Sequence, residues 1–275
     1  MRQERAEKRR NRLCAAFCAA VLLCVTALVI HALYHQEISD TDIPNDCFAQ
    51  PVSDQMNEEA EETMLLKICC LTFDDGPSKN TEPILEILER YKVPATFFVT
   101  AQDVNRQYLP LVSEIAAQGH QIALHSASHE YSRIYQSTEA FWLDIKTLRQ
   151  ELSPFVDIDT VRWIRFPGGS TNTVSHRYGG SDIMKRLISQ AEEKGYEWID
   201  WNVCAEDATA RHPNAAAILK NIQNDAKGRD LCVVLLHDTK ATGQTVKALP
   251  QIVEWFQENG YHFCTIEEMA ALREK

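Results

Sequence analysis

Residues 67–275 predict an α/β fold built on a parallel sheet, and three observations carry that expectation. Seven apolar runs of six to eight residues recur along this stretch, at 67–73, 95–100, 121–126, 162–167, 196–203, 231–238 and 261–266. They are rich in β-branched and aromatic residues and apolar almost throughout, as strands buried on both faces require. Amphipathic stretches of helical period stand between them, and several close on a glycine just before the next run, where a left-handed C-terminal residue belongs. Alternation of this kind argues for helices covering a parallel sheet. An open doubly wound sheet and a closed or distorted β/α barrel both satisfy the pattern.

Taken in order, residues 82–91 put Ile84, Leu85, Ile87 and Leu88 at helical spacing, with Asn80 or Thr81 as the cap and Pro83 in the first turn. The stretch 109–119 ends on Gly119, and 137–152 opens with Ser137 or Thr138 as cap beside Glu139. Residues 181–195 close on Gly195 and 246–260 on Gly260. Pro250 in the last of these predicts a kink or a late start in its first turns.

The chain has 275 residues, and its N-terminus reads differently. Residues 1–12 form a basic flank with six Arg or Lys against two Glu, followed at 13–33 by 21 residues without Asp, Glu, Lys or Arg. A membrane span needs about 20 apolar residues, so 13–33 is expected to be an uncleaved transmembrane anchor. A cleaved signal peptide is the competing expectation, but its apolar core runs about 7–15 residues. The flank keeps the N-terminus cytoplasmic and exports the remainder by the positive-inside rule. The expected localisation is the cell membrane, single-pass, with the domain extracytoplasmic. Residues 34–66 hold nine Asp or Glu and no Lys or Arg, which is the composition of a solvated, flexible tether.

The net charge of −11 divides into +4 for the flank, −9 for the tether and −6 for residues 67–275. No basic face stands out, which argues against nucleic acid as a partner. Of nine cysteines, five fall in the domain, in or beside apolar runs and without a disulfide-like spacing; mostly free thiols are expected.

Polar and charged groups gather at the C-terminal ends of the predicted strands. These are Asp74-Asp75-Gly76-Pro77, His125 and His129, Arg165 to Gly169, Trp201-Asn202 with Glu206-Asp207, and His237-Asp238. In β/α barrels that face assembles the active site. The His-x3-His spacing would set two imidazoles on one side of a helical turn, and a carboxylate would complete a three-ligand Zn²⁺ site with one position open. The paired aspartates then take different tasks, one binding the cation and the other, unligated, acting as a base toward water. His237 is placed to protonate a leaving group, and Arg165 to hold the base carboxylate.

The motifs TFDDGP, HSASH, RFPGGS, DWN with ED, and LLHD, in this order, resemble the five motifs of the polysaccharide deacetylases, the NodB-homology family or carbohydrate esterase family 4. The resemblance covers about residues 67–272. It implies a distorted (β/α)7–8 barrel and metal-dependent hydrolytic removal of acetyl from N-acetylated sugars. It implies Asp74 as catalytic base, Asp75, His125 and His129 as ligands of a divalent metal (Zn²⁺, or Co²⁺ or another), and His237 as general acid tuned by Asp207. It further implies Arg165 orienting the base, the Gly168 backbone N–H stabilising the oxyanion, and Leu235 beside the acetyl methyl. Glu130 stands where many members have Pro and could approach the metal. Gly168 and Ala208 replace common aromatics, each removing a wall of the substrate cleft. The expected substrate is peptidoglycan N-acetylglucosamine, with chitin oligomers or O-acetylated xylan as alternatives on the same scaffold. A glycan-binding module without turnover is the alternative of another class.

Overall fold

The computed structural model describes residues 66–273. The expected flank 1–12, span 13–33 and all but the last residue of the tether 34–66 lie outside the described residues. Among the described residues, no helix is long and apolar enough to cross a membrane.

The described residues form eight strands: β1 (Lys67–Asp74), β2 (Thr96–Thr100), β3 (Gln121–Ser126), β4 (Trp163–Ile164), β5 (Glu197–Trp198), β6 (Val203–Cys204), β7 (Leu231–His237) and β8 (Tyr261–Phe263). They pair in the order β5-β4-β3-β2-β1-β7-β6, and every ladder is parallel. β7 runs along one edge of β1; β2 takes the other edge at Thr72–Asp74 and β8 takes it at Lys67–Cys69.

The run 196–203, expected as one strand, is two. β5 pairs with β4 and β6 with β7, at opposite ends of the sheet order. Six inter-strand gaps of about 4.8 Å would put these edges about 29 Å apart in a flat sheet. The five steps from Trp198 to Val203 reach at most about 18 Å, so the sheet must curl. This is the distorted barrel, and it removes the open doubly wound alternative. No ladder joins β5 to β6 among the described residues; residues 199–202 cross the gap, with Ile199 N donating to Ile164 O (3.2 Å) and Asn202 N to Val233 O (3.1 Å).

Arg165 explains how an irregular crossing is tolerated there. The carbonyls of Ile199 and Asp200 receive its Nε (3.2 Å) and Nη2 (3.0 Å), while Nη1 reaches Thr72 Oγ1 (2.7 Å) and Asp74 Oδ1 (2.8 Å) on β1. The side chain is fully buried, its guanidinium stacked 4.0 Å from the Phe98 ring centroid.

Strand alternation sorts the core into two sets. Ile68, Cys70, Phe98, Ala123, Trp163 and Val233 line the inside of the curl. The alternate residues, among them Leu71, Phe73, Phe97, Leu124 and Val234, pack beneath the helices. The helices are α1 (Thr81–Tyr91), α2 (Leu111–Ala117), α3 (Tyr131–Ile134), α4 (Thr138–Leu152), α5 (His176–Gly179), α6 (Ile183–Glu193), α7 (Ala215–Ala226), α8 (Gly243–Glu258) and α9 (Ile266–Arg273). α9 closes the N-terminal mouth of the curl. Ile266 and Met269 join the inner cluster, and Ile266 N and Glu267 N donate to Thr96 Oγ1 and Gln121 Oε1 at the starts of β2 and β3.

All five expected helical stretches are present. Ser137 caps α4 by accepting from Ala140 N (3.1 Å). Neither Asn80 nor Thr81 caps α1, because the Thr81 hydroxyl is engaged with Ser78 N and Asp238. α8 begins at Gly243, ahead of Pro250, so it does not start late; Ala248, Leu249, Ile252 and Val253, buried on either side of the proline, hold it in place. The largest helix the sequence pattern missed is α7, capped by Asn214 (from Ala217 N, 2.9 Å), where Ile218, Ile222 and Ala226 make too thin an apolar stripe to stand out. The five described cysteines are free thiols.

Replacing Arg165 by Met leaves Asp74 buried without its cation and two carbonyls without donors. Loss of one partner of a buried pair costs about 3–5 kcal/mol, so urea unfolding is expected to show a loss of this size. A loss below about 1 kcal/mol, the range of a surface pair, would contradict the role given to Arg165.

Candidate active site

The alternation that fills the inside of the curl also aims the polar groups. Asp74 on β1, His125 on β3 and His237 on β7 stand in phase with Cys70, Ala123 and Val233 at the C-terminal ends of their strands, and Arg165, directly after β4, continues the phase of Trp163. Asp74 and His237 are register partners across the β1–β7 ladder. Asp75 should point to the opposite face from Asp74. It does not continue the strand: its φ of 71° is left-handed, a region Asp tolerates better than most residues. Its Oδ1 lies 3.6 Å from His125 Nε2 and 3.3 Å from His129 Nε2.

The histidines are not on a helical turn, as their spacing had suggested. His125 belongs to β3, and His129 sits in the following loop with a φ of 50°. Asp144 on α4 shapes that loop, accepting from Ser126 Oγ (2.7 Å), Ala127 N (2.7 Å) and Ser128 N (3.0 Å). Ser126 Oγ in turn accepts from His129 N (2.8 Å). His125 Nδ1 donates to the Arg165 carbonyl (2.7 Å), which leaves the Nε2 lone pair toward Asp75. Burial, then the neighbouring His129, pulls the His125 pKa down to about 3, so the ring is neutral.

These residues fit a divalent cation. Asp75 Oδ1 is buried and has no hydrogen-bond partner. One ligand atom from each of Asp75, His125 and His129 lies within 4.8 Å of the others. A buried carboxylate oxygen facing an imidazole lone pair is unfavourable unless a cation or proton sits between them. Three such donors with one side open match a site that keeps a position for substrate or water. Glu130 is not part of the set; its carboxylate accepts from Ser132 Oγ and pairs with Arg133 on the exposed side.

Asp74 is held differently. Its Oδ1 accepts from Arg165, and its Oδ2 lies 3.8 Å from His125 Nε2. Burial raises its pKa, against the lowering charges of Arg165 and His237. His237 Nδ1 donates to Asp207 Oδ1 (2.8 Å), and Asp207 Oδ2 accepts from His237 N (2.9 Å) and Thr245 Oγ1 (2.7 Å). Burial lowers the His237 pKa, but the Asp207 hydrogen bond and charge, with Asp74 and Asp75 behind them, push it up to about 9. Leu235 is buried two residues before His237, and Ala208 is exposed beside Asp207. Gly168 has a φ of +79°, and a Cβ there would meet the Tyr131 hydroxyl at 2.6 Å. The place of the absent residue-168 side chain is therefore taken by Tyr131, whose hydroxyl pKa is raised by burial, then by Asp75 and Asp74.

The family model described as polysaccharide deacetylase matches residues 62–197. A peptidoglycan-N-acetylglucosamine deacetylase of Bacillus cereus is 30% identical over 205 residues, 74% of this chain and 88% of the relative. The chain belongs to the polysaccharide deacetylase family. The catalytic domain of a peptidoglycan N-acetylglucosamine deacetylase from Eubacterium rectale has the same fold at a TM-score of 0.69 and 38% identity, covering 73% of this chain and 88% of that one. A bifunctional xylanase/deacetylase of Pseudobutyrivibrio xylanivorans is 32% identical over 218 residues, 79% of this chain; the chain spans 33% of that relative's length.

In this polysaccharide deacetylase, the site residues expected from the sequence converge, and two supporting residues escaped sequence reasoning. Asp144 lies in an amphipathic helix, where an acidic residue reads as a solvated face. Asp238 directly follows β7, and its residue type and position alone assign it no role. It is fully buried, accepts from Ser78 and Thr81, and has a pKa that burial pushes up to about 6. It lies so close to Gly76 that a Cβ there would meet its Oδ2 at 2.5 Å.

The His237–Asp207 pair makes a pH prediction. A folded pKa of about 9 stabilises the fold fully below the unfolded value of roughly 6.5, and that stability is lost as pH rises through the folded value. Asp207→Asn leaves burial as the main influence. The His237 imidazole, followed by NMR titration of the metal-free protein, is expected to fall below its ordinary value. An unchanged titration would contradict the pairing.

Proposed function

We propose that the protein hydrolyses the acetamide of N-acetylglucosamine residues in peptidoglycan, using Zn²⁺ held by Asp75, His125 and His129. The observation that carries this is the unequal placement of neighbouring carboxylates. Asp75 Oδ1 lies near both imidazoles, 3.6 Å from His125 Nε2 and 3.3 Å from His129 Nε2, whereas Asp74 Oδ2 nears His125 alone (3.8 Å) and its Oδ1 is held by Arg165 (2.8 Å). Bound there, the cation would supply Lewis acidity toward the acetyl carbonyl and the attacking water.

Asp74 Oδ2 takes the proton from that water. Arg165 keeps Oδ1 occupied, so the carboxylate presents one fixed oxygen, and burial makes it more basic than a solvated aspartate. His237, on the same rung of the sheet, turns Nε2 to the leaving amine while Asp207 holds Nδ1–H. With its pKa pushed up to about 9, the ring carries the proton it delivers at neutral pH. The Gly168 N–H faces the developing oxyanion, and Leu235 lines the space for the acetyl methyl.

The relatives from Bacillus cereus and Eubacterium rectale, both named for peptidoglycan N-acetylglucosamine, support this substrate. The apolar run 13–33 and acidic segment 34–66 support a domain tethered on the outer face of the cell membrane, beside the wall.

Acetate release from peptidoglycan is expected to stop with chelator and to return with added Zn²⁺. Asp75→Ala should lose bound metal. Asp74→Asn should keep the metal and lose about 10²–10⁴-fold in turnover, the usual range for a general base. Near-full activity in Asp74→Asn would refute this mechanism, and acetate from acetylated xylan alone would refute the substrate.

A further inference from the structure

Two hydrogen-bond donors at one edge of the site have no partner among the described residues. Gly168 N lies in a turn in which Gly169 N donates to Phe166 O (2.8 Å), but Gly168 N itself makes no hydrogen bond there, and the Tyr131 hydroxyl makes none either. The two groups adjoin, since a Cβ on Gly168 would come within 2.6 Å of the Tyr131 oxygen.

The phenol is held in place from two sides. Its ring lies edge-on to His129 (centroids 5.7 Å, 73°) and to Tyr135 (5.5 Å, 70°). Tyr135, which follows α3, is fully buried and donates its own hydroxyl to Pro167 O (2.7 Å), tying the end of α3 to the 167–169 turn. The half-buried phenol hydroxyl and the adjoining backbone N–H, neither with a protein partner among the described residues, leave two neighbouring donors free for a ligand.

We propose that Tyr131 is a further catalytic residue, its O–H donating beside the Gly168 N–H to the acetyl oxygen as negative charge develops there. The hydroxyl keeps its proton throughout and contributes a hydrogen bond, not a proton transfer. Gly168 and Tyr131 form one device: position 168 lacks a side chain because the phenol from α3 fills that space. This rests on the deacetylation proposed above.

The test is Tyr131→Phe in the full, zinc-loaded chain, which keeps the ring against His129 and Tyr135 and removes only the donor. With an N-acetylglucosamine oligomer from peptidoglycan, kcat is expected to fall about 10²-fold, as for loss of one oxyanion donor, with KM and zinc content unchanged. Calorimetric binding of a methylphosphonamide analogue, tetrahedral where the acetyl carbon is planar, should weaken by a similar factor, because such analogues report interactions made in the transition state. A kcat and analogue affinity equal to wild type would overturn the proposal, and so would a loss that tracks loss of zinc, since Tyr131 would then only position His129. If the wild-type protein releases no acetate from any N-acetylated glycan, the proposed deacetylation fails; the analogue affinities of the two proteins then decide the role of Tyr131 separately.

Discussion

A guanidinium fully removed from water must find acceptors for its donors, and Arg165 finds them on the chain that crosses the gap in the barrel and on the central strand. Its contacts with Ile199 and Asp200 stabilise a stretch of chain that belongs to no ladder, and its contacts with Thr72 and Asp74 tie that stretch to the central strand. The barrel can therefore stay open between β5 and β6 without leaving buried carbonyls unpaired, which would cost about 1–3 kcal/mol each. The same side chain fixes one oxygen of Asp74. Its own backbone carbonyl fixes the His125 tautomer. One residue thus couples closure of the fold to the orientation of two groups in the site.

The paired aspartates work because the strand ends between them. In a continuing strand their side chains would face opposite sides of the sheet. The left-handed turn at Asp75 brings both to the same mouth, one to two imidazoles and the other to Arg165 and the His237 rung. Asp238, the partner of Ser78 and Thr81, braces the turn that follows from the β7 side. Asp74 and His237, the proposed base and acid, then sit on adjacent strands at one register position, where neither loop movement nor helix packing has to align them.

Much of this was legible in the sequence, and the limits are physical. Apolar runs and closing glycines show strands and helices, and five polar strand ends show which face carries the site. The residues 199–202 read as strand because Ile199 and Trp201 continue the apolar pattern; only the positions of their partners show the chain crossing between edges. Residue type and spacing placed His125 and His129 together, but the spacing of four suits a helix and a loop alike, and the loop is set by Asp144, distant in sequence. Gly168 read as a missing wall because the sequence cannot show that a tyrosine from another element occupies the space.

The central claim is the division of labour between Asp74 and Asp75, and a zinc-edge anomalous map of the metal-loaded protein tests it most directly. The account predicts one ion within about 2.0–2.2 Å of Asp75 Oδ1 and both His Nε2 atoms, with Asp74 still on Arg165 and outside the ion's ligand set. An ion bound by Asp74, or one that leaves His125 or His129 unligated, would contradict it.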